Sequence, residues 1–216
     1  MWIYSDSLDI AYVPVCKAAC TSITAAILVD AGVLSDTPNH PEPVHRMACY
    51  PMSKGYDAAI VGGRVVSARD ARITPGRWFS FVRHPLARLV SCYQDKVVHD
   101  RPGLPPALRV RPFGAFVRAV CDTSRVAPMH LNPHVRPQVH TLRERQYDLV
   151  GKVENIAEDW GRLCRLVGRD LPLSCLNKCG DGNGWREHYD GQTLGIAADF
   201  FKDDLERFGY SIGEVA

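Results

Sequence analysis

Two strings of this 216-residue chain carry side chains suited to holding anions. In the first, CKAACTS (residues 16–22), Lys17 is followed by the small residues Ala19 and Cys20 and then by the hydroxyls of Thr21 and Ser22. A helix start offers free N–H groups and the positive end of the helix dipole, so an ammonium group and hydroxyls placed there form an anion site. In the second string, Arg83 closes the apolar run WFSFV and Ser91 lies two helical turns further on. A guanidinium leaving the carboxyl end of a strand can address a phosphate in the crevice of an open α/β sheet. A hydroxyl on the following helix can donate to the same anion.

Both strings need a strand before them and a helix after them, and the flanking residues provide these. Ile10, Tyr12, Val13 and Val15 have the character of a buried strand, with Pro14 near its end. Thr21 or Ser22 is placed to cap a helix whose apolar positions Ile23, Ala26, Ile27 and Val29 run until Gly32. Trp78, Phe79, Phe81 and Val82 form a second strand. Pro85 suits a first helical turn, and Leu86, Leu89, Val90, Tyr93 and Val97 form an apolar stripe.

The strand-and-helix pattern recurs along the chain. Residues 58–68 read as a strand broken by a glycine pair, a hairpin, and residues 102–124 as a proline-rich loop entering a helix through Phe113, Phe116, Val117 and Val120. Leu149 and Val150 make a strand before a helix bearing Ile156, Trp160, Leu163, Leu166 and Val167. One closing helix, starting at Thr193, is expected to face the core through Leu194, Ala198, Phe201, Leu205 and Phe208. Residues 35–58 and 173–191 read as long polar connections. The fold class is α/β, with a central, mostly parallel sheet flanked by helices in a single domain, residues 1–216.

Composition narrows the partners. With 46% apolar residues the chain can bury a full core. It has no apolar run long enough for a membrane span and no secretory signal at its start, so a soluble, cytoplasmic protein is expected. Its 8 cysteines are scattered among apolar residues, as buried thiols in a reducing compartment would be. The C-x-x-x-C pairs Cys16/Cys20 and Cys175/Cys179 are too widely spaced for zinc knuckles. Pro133 and Pro137 break the helix that a His130/His134 metal pair would need, so no metal is expected. Residues 64–145 hold 15 basic and 5 acidic side chains, a block suited to an anionic ligand. Its arginines are dispersed among apolar residues and prolines, which disfavours nucleic acid.

VPVCKAACTSI resembles the 5′-phosphosulfate loop of sulfotransferases that use PAPS (3′-phosphoadenosine 5′-phosphosulfate), most closely the carbohydrate sulfotransferases of family 2. Cys16 stands where that pattern usually has proline. FVRHPLARLVSCY resembles the family's 3′-phosphate motif, in which an arginine and a serine eight residues later hold the nucleotide; Arg83 and Ser91 match both. Arg88 fits a recurrent arginine of that motif, expected to anchor the helix by a salt bridge. NPHVRPQ resembles an acceptor-side segment, which makes Asn132, His134, Arg136 and Gln138 candidates for acceptor contact. YDLVGKVENI resembles the family's segment of a strand and a glutamate heading a helix, with Glu154 as cap or ion-pair partner. Lys178 matches a basic residue that reaches the nucleotide phosphate.

The resemblance implies a three-layer, P-loop-like fold, PAPS as donor, PAP (the desulfated nucleotide) as product and no metal. The acceptor would be a hydroxyl-bearing small molecule or glycan, such as a carbohydrate or glycolipid. A neutral hydroxyl needs a base, and histidine titrates in the right range. In related enzymes the base lies between the two phosphate motifs, which favours His45; His134 is the alternative from the acceptor segment. Two other readings stay open. A P-loop-type nucleotide kinase would share the loop logic, yet the string G-x-x-x-x-G-K-[ST] is absent. A non-catalytic module would bind PAP or PAPS without transfer.

Overall fold

A computed structural model describes residues 1–36, 44, 57–122, 126–174 and 184–213. In chain order, its strands are β1 (Ile3–Ser5), β2 (Ile10–Val13), β3 (Ala58–Val61), β4 (Arg64–Ser67), β5 (Trp78–Val82) and β6 (Leu149–Lys152). Its α-helices are α1 (Cys20–Asp30), α2 (Pro85–Tyr93), α3 (Phe113–Cys121), α4 (Gln138–Leu142), α5 (Ile156–Val167), α6 (Gly191–Phe200) and α7 (Lys202–Phe208). The six strands form one sheet in the order β4-β3-β1-β2-β5-β6. β1 runs parallel to β3 and β2 parallel to β5, while β1–β2 and β3–β4 are antiparallel. The α/β class and the central sheet flanked by helices are those expected from the sequence. β1 is an addition: three residues are too few to show an alternation against the polar SDS that follows.

The chain divides into two compact units. The first comprises Met1–Pro14, Ala18–Phe81 and Glu144–Asn177, the second Val15–Lys17, Val82–Arg143 and Lys178–Ala216. In the first unit, all of β2 is buried and β5 is buried from Phe79 on, as central strands covered on both faces must be. The Ser80 hydroxyl, enclosed among apolar neighbours, donates to the Val13 carbonyl at 2.6 Å. Gly62 and Gly63, both at positive φ, make the tight turn of the β3–β4 hairpin. Ile23, Ile27, Trp160 and Leu163 from α1 and α5 join Ile3, Tyr12 and Phe79 in one core.

Helix α1 departs from expectation at its start. Its N-cap is Ala19, in the left-handed region at φ 56°, with no side-chain cap; Thr21 and Ser22 lie inside the first turn. The first bond of the helix runs from the Ile23 N–H to the Ala19 carbonyl at 3.1 Å, so Cys20, Thr21 and Ser22 contribute the N–H groups that precede the ladder. The helix is also buried from Ser22 through Leu28 and not along one stripe, which suits its run of small and apolar residues. Glu154 lies in a short 3-10 turn, and Asn155 takes the N-cap of α5.

The second unit packs α2, α3 and α6 around Leu86, Leu89, Phe113, Phe116, Ala197 and Phe201. Helix α2 runs directly into a π-helical turn, Gln94–Val98. The expected closing helix is two helices: the chain bends at Phe201 (φ −100°, ψ 17°). The inward stripe is Thr193, Ala197, Phe201 and Asp204, so a carboxylate, fully buried, takes a place that the apolar pattern assigns to Leu205. Among the described residues, no helix is long and apolar enough to cross a membrane.

Candidate active site

Every residue of α2 is buried, including Arg88 and Ser91, and Asp95 in the π turn that follows continues their row at helical spacing. Residues three and four apart share a face, so this is a polar stripe on an otherwise apolar helix. Burying such groups costs stability unless partners meet them, and the second unit supplies the partners.

Asp95 is the meeting point. Its Oδ2 lies 3.0 Å from Lys17 Nζ and 3.0 Å from Lys96 Nζ, and its Oδ1 lies 3.2 Å from an Arg101 guanidinium nitrogen. Burial alone would raise this carboxyl, but Lys17 and Lys96 outweigh it and hold it down at about 2. Lys17 itself sits at φ 67°, two residues before the left-handed Ala19. Non-glycine residues at positive φ are uncommon, and a loop that keeps two of them is held in shape by its surroundings.

Arg88 is one part of that hold. It is 1% exposed and donates to the carbonyls of Cys16 (3.4 Å), His134 (3.3 Å) and Arg136. The expected salt bridge is therefore replaced by carbonyl contacts, with Asp204 acting on the guanidinium through space. One buried side chain thus fixes Cys16 beside Lys17 and the segment 134–136. Arg83 completes the group by donating to the Lys17 carbonyl at 3.5 Å.

His134 faces the same charges. Its Nδ1 lies 2.9 Å from Asn132 Oδ1, which also accepts the His134 N–H at 3.0 Å, while Asn132 Nδ2 donates to the Gly103 carbonyl at 2.9 Å. With Oδ1 as acceptor, Nδ1 carries the proton in the neutral ring and Nε2 keeps its lone pair. Burial, then Lys96 and Lys17, push the His134 pKa down to about 4, so the ring is neutral at pH 7. Gly103 is at φ 117°, and a Cβ there would lie 3.1 Å from His134 Cε1 and 3.5 Å from Lys96 Cε. Only glycine lets this loop approach both side chains so closely.

The other acceptor-segment residues are engaged internally. Gln138 is fully buried, with its amide bound to the Arg83 main chain and to Asp204. Arg136 Nε donates to the Leu131 carbonyl at 3.0 Å. Ser91 is buried on α2. Ala19, Cys20, Thr21 and Ser22 belong to the first unit, in the loop and first turn of α1. His45 and Lys178 lie outside the described residues.

Sequence reasoning missed Asp95, Lys96, Gly103 and Asp204. The spacing of Arg88, Ser91 and Asp95 on a helix read as amphipathic was a usable signal for the first. Asp204 had none, because the apolar pattern of Leu194, Ala198 and Leu205 sets the buried face one residue further along than Thr193, Ala197 and Asp204 do.

The chain is of the α/β class, with a strand-loop-helix start and a cationic cluster on that loop's lysine. A model of the sulfotransferase family matches residues 1–211. The chain belongs to the sulfotransferase family, in its family 2, whose chemistry is sulfuryl transfer. No curated protein and no solved structure matches it.

Proposed function

We propose that this protein transfers the sulfuryl group of PAPS to a hydroxyl of a carbohydrate or glycolipid. The observation that carries the reading is the cluster of Lys17, Lys96 and His134 around Asp95, with Arg83 bound to the Lys17 carbonyl. Two ammonium groups on one carboxylate leave an excess of positive charge, which suits the 5′-phosphosulfate end of the donor.

The donor would supply the sulfuryl group and leave as PAP. The loop CKAACTS, through Lys17, the N–H groups of Ala19 and Cys20 and the hydroxyls of Thr21 and Ser22, would hold its 5′ end. Arg83, Ser91 and Lys178 would hold the 3′-phosphate. Asn132 and Arg136 shape the acceptor segment, and Gln138 positions Arg83. As the acceptor oxygen bonds to sulfur, the bond from sulfur to the phosphate oxygen breaks. The electron pair stays on that oxygen, where Lys17 meets it, and the acceptor proton goes to His134 Nε2. His134 is favoured over His45 because the Asn132 contact leaves Nε2 as the acceptor nitrogen. Bound phosphates would offset Lys17 and Lys96 and raise the low pKa of the ring toward the working range. Among the described residues, the free thiols Cys92, Cys121 and Cys164 suit a cytoplasmic setting.

Isothermal titration with PAP tests the site. The wild type should bind and Arg83→Ala should not; unchanged affinity removes the assignment. His134→Gln should bind PAP and lose about a hundred- to ten-thousandfold in turnover. If His45→Gln loses turnover instead, His45 is the base. Binding of PAP without transfer to any glycan would make the chain a non-catalytic module, and ATP turnover with magnesium would make it a kinase.

A further inference from the structure

Asp95 is unaccounted for by the transfer chemistry. A carboxylate beside the lysine that must meet a phosphate repels that phosphate and competes with it. Yet Asp95 is nearly enclosed: its side chain is 7% exposed, and those of Lys17 and Lys96 are 12% each. Arg101 closes its other oxygen. Arg88, His134 and the buried thiol of Cys92 are the further titratable groups that bear on the same cluster. Without Asp95, three cations would crowd one largely buried place. With it, both ammonium groups point at a single oxygen and are fixed relative to His134.

The location adds to this. Asp95 follows Ser91 by one helical turn and lies where α2 passes into the π turn Gln94–Val98. π turns are rare and are frequently found at functional sites. Here the turn brings Asp95 and the adjacent Lys96 to one locus, with Lys96 bonded to its own neighbour's carboxylate.

We propose that Asp95 is a positioning residue that holds Lys17 and Lys96 as a fixed pair beside His134, and yields Lys17 to the phosphate of the donor when the donor binds. The inference rests on the sulfuryl-transfer reading. It predicts opposite effects on binding and turnover. Asp95→Asn removes the competitor, so PAP should bind more tightly, while turnover at saturating donor should fall about a hundredfold, the loss typical of a 1 Å misplacement. A purely structural role would weaken both together.

Three measurements decide it. First, in the protein free of nucleotide, Lys17 should react slowly with an amine acylating reagent, followed by peptide mass spectrometry, and fast in Asp95→Asn; equal rates overturn the tether. Second, titration with PAP and turnover with PAPS are compared between wild type and Asp95→Asn. Loss of both, or unchanged turnover, overturns the positioning role. Third, should Asp95→Asn not fold, Asp95→Glu retains the charge and shifts the carboxylate by one methylene; turnover should fall with PAP affinity near that of the wild type, and wild-type turnover in it overturns the proposal. A wild type that binds no PAP sinks the sulfuryl-transfer reading instead, and the acylation rates still report on the tether.

Discussion

The side-chain amide of Gln138 grips the main chain of Arg83 at two points: Oε1 accepts the Arg83 N–H at 3.0 Å and Nε2 donates to the Arg83 carbonyl at 2.9 Å. Asp204 steadies the grip. It accepts the N–H groups of Gln138 and Val139, both at 2.9 Å, at the start of α4. A buried carboxylate on α7 therefore sets a glutamine on α4, which sets the exit of β5. Gln138→Ala leaves the Arg83 peptide groups without this partner. PAP affinity should fall about tenfold, or 1.4 kcal/mol, with turnover at saturating donor largely kept. Titration calorimetry checks it, and wild-type affinity would show that the grip does not aim Arg83.

His134 makes stability depend on pH in a defined direction. Its pKa is lowered from an ordinary 6.5 to about 4, so between these values the unfolded chain binds a proton that the folded chain refuses. The contribution is complete above pH 6.5 and is lost as pH falls toward 4. Replacing His134 by Gln should therefore flatten the urea-unfolding free energy across that window and leave its slope elsewhere unchanged. In kinetics, the acid limb of kcat/KM, which reports the free enzyme, should lie near 4, and that of kcat should lie higher once phosphate faces Lys17 and Lys96. Coincident limbs near 6.5 would contradict the account.

Strands β2 to β6 were legible because their signals are local. Trp78 to Val82 is an apolar run ending in Arg83, and Gly62-Gly63 is a turn by residue type alone. What the sequence left unseen comes from packing at a distance. Ala19 takes the N-cap position because the loop is held in left-handed conformations, and no cap propensity records that. The closing helix breaks in two at Phe201, and Asp204, not Leu205, lies on the buried face, where it accepts the N–H groups of Gln138 and Val139. Asn132 and Gln138 carried acceptor-segment expectations by resemblance, while the structure engages their amides with Gly103, His134, Arg83 and Asp204.

Arg88 ties three carbonyls of two chain segments, and its charge faces the buried Asp204. Arg88→Met roughly preserves volume, but it strands those carbonyls and leaves Asp204 unopposed. Unfolding in urea should show a loss of about 1–3 kcal/mol for each buried carbonyl left without a partner. Arg88→Lys retains a charge but lacks the planar fork that reaches several acceptors at once, so it should recover only part of the loss.

Gly151 in β6 tests the packing of the sheet by itself. A Cβ built on it would lie 2.5 Å from Phe81 Cε1 and 2.8 Å from Cδ1 and Cζ, inside contact distance for carbon. The ring cannot simply retreat: Phe81 is fully buried, edge-on to Phe79 with centroids 6.5 Å apart and tilted against Trp160 at 6.0 Å. Overpacking of a closed core costs about 1–3 kcal/mol, and Gly151→Ala should lose that much in urea unfolding. Phe81→Leu opens room at the same place, so the double variant should lose less than the sum of the two singles, as neighbours sharing one space do. A Gly151→Ala protein within about 0.5 kcal/mol of wild type would mean that β5 and β6 adjust freely there, and that the glycine is not required by the ring.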